Sequence, residues 1–183
     1  MDKKLLVLSG PSGAGLGELV TALFAHRSDL ATAIPVTARK MKAGEQDGVG
    51  FYFYDLEGWN ALKESGDLLE ATEFAGNDYG TSRRLVKEQL AKGRHVLLNL
   101  DVERAAQVKR NMPEAVCVYA EPSEAVLREK YAAIARSEFE LSVRLEAAER
   151  QRGLSAFCDR RICSDDLSAA LAALDAVLDG GEV

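Results

Sequence analysis

The chain reads as an α/β protein built on a doubly wound parallel sheet, and three observations predict it. Apolar runs of strand length alternate with amphipathic helical segments along nearly the whole sequence, the pattern that packs helices on both faces of a parallel sheet. The first run, Leu5–Ser9, enters a glycine-rich turn, Gly10-Pro11-Ser12-Gly13-Ala14-Gly15-Leu16-Gly17-Glu18, and a helical stretch over 19–26 follows. That order of strand, turn and helix is the layout of a phosphate-binding P-loop, in which main-chain N–H groups cradle an anion. The run 96–100, broken only by Asn99, suits a central strand covered on both faces. Asp101 sits at its carboxyl end, where ligands of such sheets bind.

The other elements follow in order. The apolar run 32–36 is a candidate second strand. The basic, turn-like stretch 37–48 leads into 51–54, which has the aromatic density of a strand. Asp55 is placed to cap a helix over 56–65 that buries Trp59 and Leu62. Leu68–Phe74 reads as a strand and 82–92 as a helix capped by Ser82 and closed at Gly93. Beyond the central strand come a helix over 102–110, a strand over 115–120, helices over 123–133 and 138–150, a short strand near 161–163 and a helix over 166–178. No internal repeat or low-complexity tract interrupts them, and 183 residues fit a single domain.

Composition narrows the function classes. The chain is 47% hydrophobic and 28% charged, and no apolar run approaches the ~20 residues that span a bilayer. Met1-Asp2-Lys3-Lys4 runs straight into a strand without the apolar region of a secretory signal, which predicts a cytoplasmic location. A net charge of −6 argues against a nucleic-acid surface. Cys117, Cys158 and Cys163 are odd in number and lack CxxC spacing, so they are expected as core residues or free thiols, and no metal cage is expected. His26 and His95 have no sequence context that suggests a dyad, and Arg83, Arg84 and the run 103–110 read as solvated helix faces.

The loop itself keeps one half of the P-loop pattern. In GxxxxGK[ST] the lysine reaches the phosphates and the hydroxyl holds Mg²⁺. Here the lysine position is Leu16. The hydroxyl position is Gly17, or Glu18 in the variant spacing GxSGxGKGT. Gly10, Ser12, Gly13, Gly15 and Gly17 therefore supply the shape of the cradle without its charge.

Five segments in register, GPSGAG, TARKMKAGEQDG followed by FYF, LLEATEFAGNDYGTS, VLLNLD and DDL, carry a resemblance to the guanylate kinase family over essentially the whole chain. The resemblance implies a P-loop NTPase-type core (1–34, 91–122, 151–183), a small, mostly antiparallel GMP-binding subdomain (35–90) and a helical lid (123–150). On the GMP side it implies that Arg39, Lys42 and Tyr79 meet the phosphate and that Glu70, Thr81 and Asp101 read the guanine edge. Pro35 and Phe51 stand where the family has a serine and a tyrosine. On the ATP side, Asn99 replaces an aspartate that organises Mg²⁺, and Lys130 replaces an arginine. The stretch 131–135 replaces a second arginine and its flanking glycines. Arg144 matches, and Arg136 is a substitute after a local shift.

Two functions follow from the resemblance. One is a catalytically impaired pseudokinase or binding module that holds GMP or another guanine monophosphate, or a phosphorylated peptide or protein. The other is an active guanylate kinase or related small-molecule kinase, with Mg²⁺ and ATP, that recruits Lys3, Lys40 or Lys130 to the phosphates. Neither reading involves nucleic acid or a membrane.

Overall fold

Strand β1 (Leu5–Ser9) lies at the centre of a five-stranded parallel sheet, and all five of its residues are buried. The structure, a computed structural model, describes residues 3–181, so the outermost limits expected for the domain, 1–2 and 182–183, lie outside the described residues. Beside β1 run β7 (His95–Asn99) and β8 (Val116–Glu121), with Leu8 opposite both Asn99 and Val118. The outer strands are β2 (Leu30–Ala31) and β9 (Arg160–Cys163), giving the order β2-β7-β1-β8-β9. Alternate residues of these strands face two separate cores. Leu5, Val7, Val96, Leu98 and Cys117 pack with Val86 of α3 (Arg83–Ala91) and with Ala105 and Val108 of α4 (Val102–Asn111). Leu6, Leu8, Leu97 and Val118 pack with Leu19 and Leu23 of α1 (Leu16–His26) and with Leu174 and Leu178 of α7 (Leu167–Leu178). Burial on both faces is what makes these strands near-continuous apolar runs.

A second, mixed sheet is formed by β3 (Val36–Thr37), β4 (Tyr52–Phe53), β5 (Leu68–Phe74) and β6 (Asn77–Ser82) in the order β4-β3-β6-β5. It covers Trp59 of α2 (Leu56–Glu64), which is fully buried with Val36 and Leu85. Helices α5 (Glu124–Ala132) and α6 (Glu138–Leu154) pack on each other through Leu127, Tyr131, Leu141 and Ala148. A 3-10 turn, Ser155–Phe157, joins α6 to β9. No described helix is long and apolar enough to cross a membrane.

Four sequence expectations are corrected. The strand expected over 32–36 is absent: Leu30–Ala31 joins the parallel sheet and Val36–Thr37 the mixed one. The chain changes sheets across Pro35, which has no N–H for a ladder. The strand Asn77–Ser82 was not expected at all. It pairs with β5 through a tight turn at Ala75 (φ 50°) and Gly76 (φ 72°), two positive φ angles that build a hairpin turn. Helix α1 starts at Leu16, one turn earlier than expected, and α6 runs one turn further than expected.

Candidate functional site

The glycines of the first turn divide into those the geometry demands and those it does not. A Cβ on Gly10 would stand 2.4 Å from the Ala120 carbonyl oxygen, so only glycine fits beneath β8. Gly13 (φ 86°) and Gly15 (φ 73°) occupy left-handed backbone, and Gly15 caps α1 without a side-chain hydrogen bond. Gly17 meets open space and has no steric reason to be glycine. The first N–H groups of α1 thus face a turn that bends as a P-loop bends. The loop lies at the carboxyl end of β1, where neighbours β7 and β8 lead the chain to opposite halves of the sheet, the crevice that binds ligands in such folds.

A cleft of about 610 Å³ opens over this turn, lined by residues 10–18 together with Asn99, Leu100, Asp101 and Gln151. Its charged lining residues are Glu18 and Asp101, both carboxylates. Leu16, at the lysine position, is half-buried and packs onto the core shared by α1 and α7. The Ser9 hydroxyl, at the mouth of the loop, is buried without a hydrogen-bond partner among the described residues. Asp101 caps α4 by accepting from the N–H groups of Glu103 and Arg104.

From the far side, α5 presses on the loop. Tyr131 donates its hydroxyl to the Ser12 carbonyl at 2.6 Å, and Lys130 Nζ donates to the Gly13 carbonyl at 3.0 Å. Tyr131 is buried, and burial raises its pKa. The other two basic positions carried over from the resemblance do not reach the loop through a hydrogen bond. Arg144 pairs with Glu140 at 2.8 Å on its own helix, and exposed Arg136 donates its main-chain N–H to the same carboxylate. Lys3 pairs with Asp29 at the opposite end of the strands.

The mixed sheet gathers the remaining candidates. Arg39 makes a two-pronged pair with Glu45, both contacts at 2.8 Å, and lies over the rings of Phe51 and Phe53 at 5.4 and 5.1 Å. Tyr79 lies tilted against Phe51, with centroids 5.8 Å apart and ring planes at 58°. The Arg39 guanidinium, followed by the Lys42 N–H, pulls the Glu45 carboxyl down to about 2. Lys42 meets this cluster only through that N–H, at 2.7 Å from Glu45, and it is exposed. Pro35 accepts from the Tyr52 N–H, so its carbonyl, not its ring, ties β4 to β3. Glu70 is buried, accepting from the Thr81 hydroxyl at 2.6 Å and from Arg104 at 2.6 and 3.0 Å.

Arg104 is the residue that sequence reasoning missed. Its stretch reads as a solvated face, yet Arg104 holds Glu70, Gln107 spans the main chain of Ala71, and Asn111 donates to Leu69 O. The signal was the spacing: 104, 107 and 111 fall on one helical face. Burial, the largest single influence, lowers the Arg104 pKa, but the hydrogen bond to Glu70 and the negative charges of Glu70 and Asp101 together outweigh it and the net shift is upward.

With this geometry in place, the comparisons with known proteins decide the family. The family model described as guanylate kinase matches residues 2–180. The chain belongs to the guanylate kinase family. A relative named guanylate kinase from Synechococcus sp. (strain CC9311) is 39% identical over 171 residues, covering 92% of this chain and 90% of the relative. The crystal structure of guanylate kinase from Anaplasma phagocytophilum superposes with a TM-score of 0.62 at 25% identity, over 97% of this chain and 85% of that one. The SH3-kinase fragment of tight junction protein 3, at 12% identity, covers 98% of this chain and 57% of that one with a TM-score of 0.50. It shares the fold alone.

Proposed function

We propose that this chain binds a guanine monophosphate in the guanylate kinase fold while transferring phosphate from ATP poorly or not at all. One observation carries the reading: the charged side chains that line the cleft over the loop are carboxylates, and the lysine position is filled by a half-buried leucine that packs against the core. A magnesium-bound triphosphate needs cations and a metal ligand there, and the residues present do not fit that need. Glu18 adds repulsion where attraction is required. Losing one preorganised donor can cost on the order of 10²–10³ in rate.

The acceptor side supports the other half of the reading. Arg39, Phe51 and Tyr79 form one cluster on the mixed sheet, and Thr81, two residues along β6 from Tyr79, donates to Glu70. Charge-assisted hydrogen bonds from an arginine to a phosphate are among the stronger kind, and a buried carboxylate is suited to accept from the ring N–H and amino group of guanine. GMP is expected to bind alone. In calorimetry with GMP and Mg·ATP titrated separately, only GMP gives heat, and Arg39→Ala weakens it by at least about tenfold, the loss of roughly 1.5–3 kcal/mol for a hydrogen bond to a charged group. Dependence of inorganic phosphate or a phosphopeptide on Arg39, with no response to GMP, would instead make this an anion site for protein recognition.

A second reading rests on Lys130, whose ammonium lies 3.0 Å from the Gly13 carbonyl. It is an active guanylate kinase in which the lid supplies the cation the loop lacks. ATP-dependent GDP formation separates the two. Turnover above ~1 s⁻¹, the low end of ordinary enzymes, that is lost in Lys130→Met establishes the second reading. Background turnover in both proteins establishes the first.

A further inference from the structure

Away from the cleft, Cys117 of β8 and Cys158 at the end of the 3-10 turn bring their sulfurs to 2.7 Å. Both are free thiols, from positions 41 residues apart. The backbone holds them together from two directions: the Asp159 N–H donates to the Cys117 carbonyl, and the Cys117 N–H donates to the Asp159 carboxylate. Lys109 fixes that carboxylate at 2.8 and 2.9 Å and also donates to the Ala115 carbonyl. Cys117 is fully buried, whereas Cys158 is part-exposed. One thiol is therefore open to a small reagent, and the other is shielded and within reach of the first. This is the arrangement of an attacking and a resolving cysteine.

We propose that Cys117 and Cys158 form a peroxide-responsive thiol pair that closes to a reversible cystine where α6 joins the parallel sheet. The Cys158 thiolate attacks one oxygen of hydrogen peroxide. The O–O bond breaks, Cys158 becomes a sulfenic acid, and the departing hydroxide takes up a proton as water. The Cys117 sulfur then attacks the sulfenic sulfur, the S–O bond breaks, and hydroxide leaves as a second water with the Cys117 proton. Two thiols are oxidised by two electrons and one peroxide is reduced to two waters. Hydrogen bonding between the thiols lowers the Cys158 pKa and raises that of Cys117, which burial raises further. Cys158 is thus the sulfur that ionises and attacks first.

The site is tested on the whole chain carrying Cys163→Ser, which removes the exposed third thiol. Hydrogen peroxide should cost the folded protein two hydrogens by intact mass, with peptides containing Cys117 and Cys158 cross-linked, and dithiothreitol should restore both. Because the fold holds the sulfurs together, closure should be at least about tenfold faster than in the same chain unfolded in denaturant. The oxidised form should melt several degrees higher, as expected for a cross-link closing a loop of this size. Cys117→Ala should leave Cys158 as a sulfenic acid that a dione reagent traps. Gain of oxygen without loss of hydrogen in the Cys163→Ser protein overturns the proposal. So does a cystine that forms no faster in the folded chain than in the unfolded one.

Discussion

The two candidate walls of a nucleotide site, the mixed sheet and the glycine-rich loop, are ordered by different means. On the mixed-sheet wall the order lies in side chains: Arg39 is held by Glu45, and Glu70 by Thr81 and Arg104, each at hydrogen-bond distance. On the loop wall it lies in the main chain: Gly10 under a carbonyl, Gly13 and Gly15 in left-handed backbone, and Tyr131 and Lys130 bonded to loop carbonyls. A loop of this kind keeps its curvature when its side chains change, because glycines and the packing of α5 set the bend. Its affinity for a triphosphate has no such protection, since that depends on charges carried by replaceable side chains. Shape and chemistry are separable on one wall and inseparable on the other.

The largest effect should come from putting charge back on the loop wall. Leu16→Lys, Glu18→Thr and Asn99→Asp together should raise Mg·ATP affinity at least about a hundredfold. Hydrogen bonds to charged groups contribute roughly 1.5–3 kcal/mol each, and about 2.7 kcal/mol is a hundredfold. Leu16→Lys alone should recover far less, because Glu18 and Asn99 remain. Calorimetry with Mg·ATP reads both variants. A triple variant that folds, by circular dichroism, and still ignores ATP would mean that the main chain does not form a cradle, and the separation of shape from chemistry would fail.

A middle-sized effect tests the opposite wall. Glu70→Ala should destabilise the protein by about 3 kcal/mol, because Arg104 is left mostly buried without its carboxylate. The Tm should drop by roughly 6–12 °C in a chain of this size. Glu18→Gln on the loop wall, exposed and capping nothing, should move stability by no more than about 0.5 kcal/mol. Equal losses in the two variants would erase the contrast. Glu70→Gln keeps the size of the side chain but also takes the carboxylate from Arg104, so it should destabilise as well and, in addition, erode preference for guanine over adenine nucleotides, measured as the ratio of their dissociation constants.

What could be read from the sequence follows the same division. The parallel sheet was legible because its strands are buried on both faces and leave uninterrupted runs such as Leu5-Leu6-Val7-Leu8. The loop was legible because glycines are needed where no other residue fits. The hairpin partner Asn77–Ser82 was not, since a strand reading Asn-Asp-Tyr-Gly-Thr-Ser carries neither β-branched density nor alternation, and Ala75-Gly76 is an uncommon turn pair. Arg104 escaped for a related reason. In a run with charges on several sides, the partner that buries one of them lies 34 residues away on β5. The cysteine pair, 41 residues apart, has no sequence signature either. Local chemistry reads forward along the chain, and contacts made by folding do not.

The smallest effect concerns the Arg39–Glu45 pair and sharpens the comparison through pH. Glu45 titrates at about 2 in the folded protein, against an ordinary value of 4.5. A carboxyl whose folded pKa lies below its unfolded one contributes stability above the unfolded value and loses it as pH falls through the folded value. The Tm difference between the native chain and Glu45→Gln should therefore be constant from about pH 8 to about pH 5, shrink between about pH 4.5 and pH 2, and disappear below that. Taking the difference cancels every other carboxylate. The effect should be small, because solvent still reaches the half-buried pair and screens it, and higher salt should reduce it. Scanning calorimetry of both proteins across that range reads it directly. A difference that persists undiminished at low pH would mean that what Glu45 contributes to the mixed-sheet wall does not come from its charge. In that case the order of this wall would be packed, as the loop's is, and no longer tied to charge.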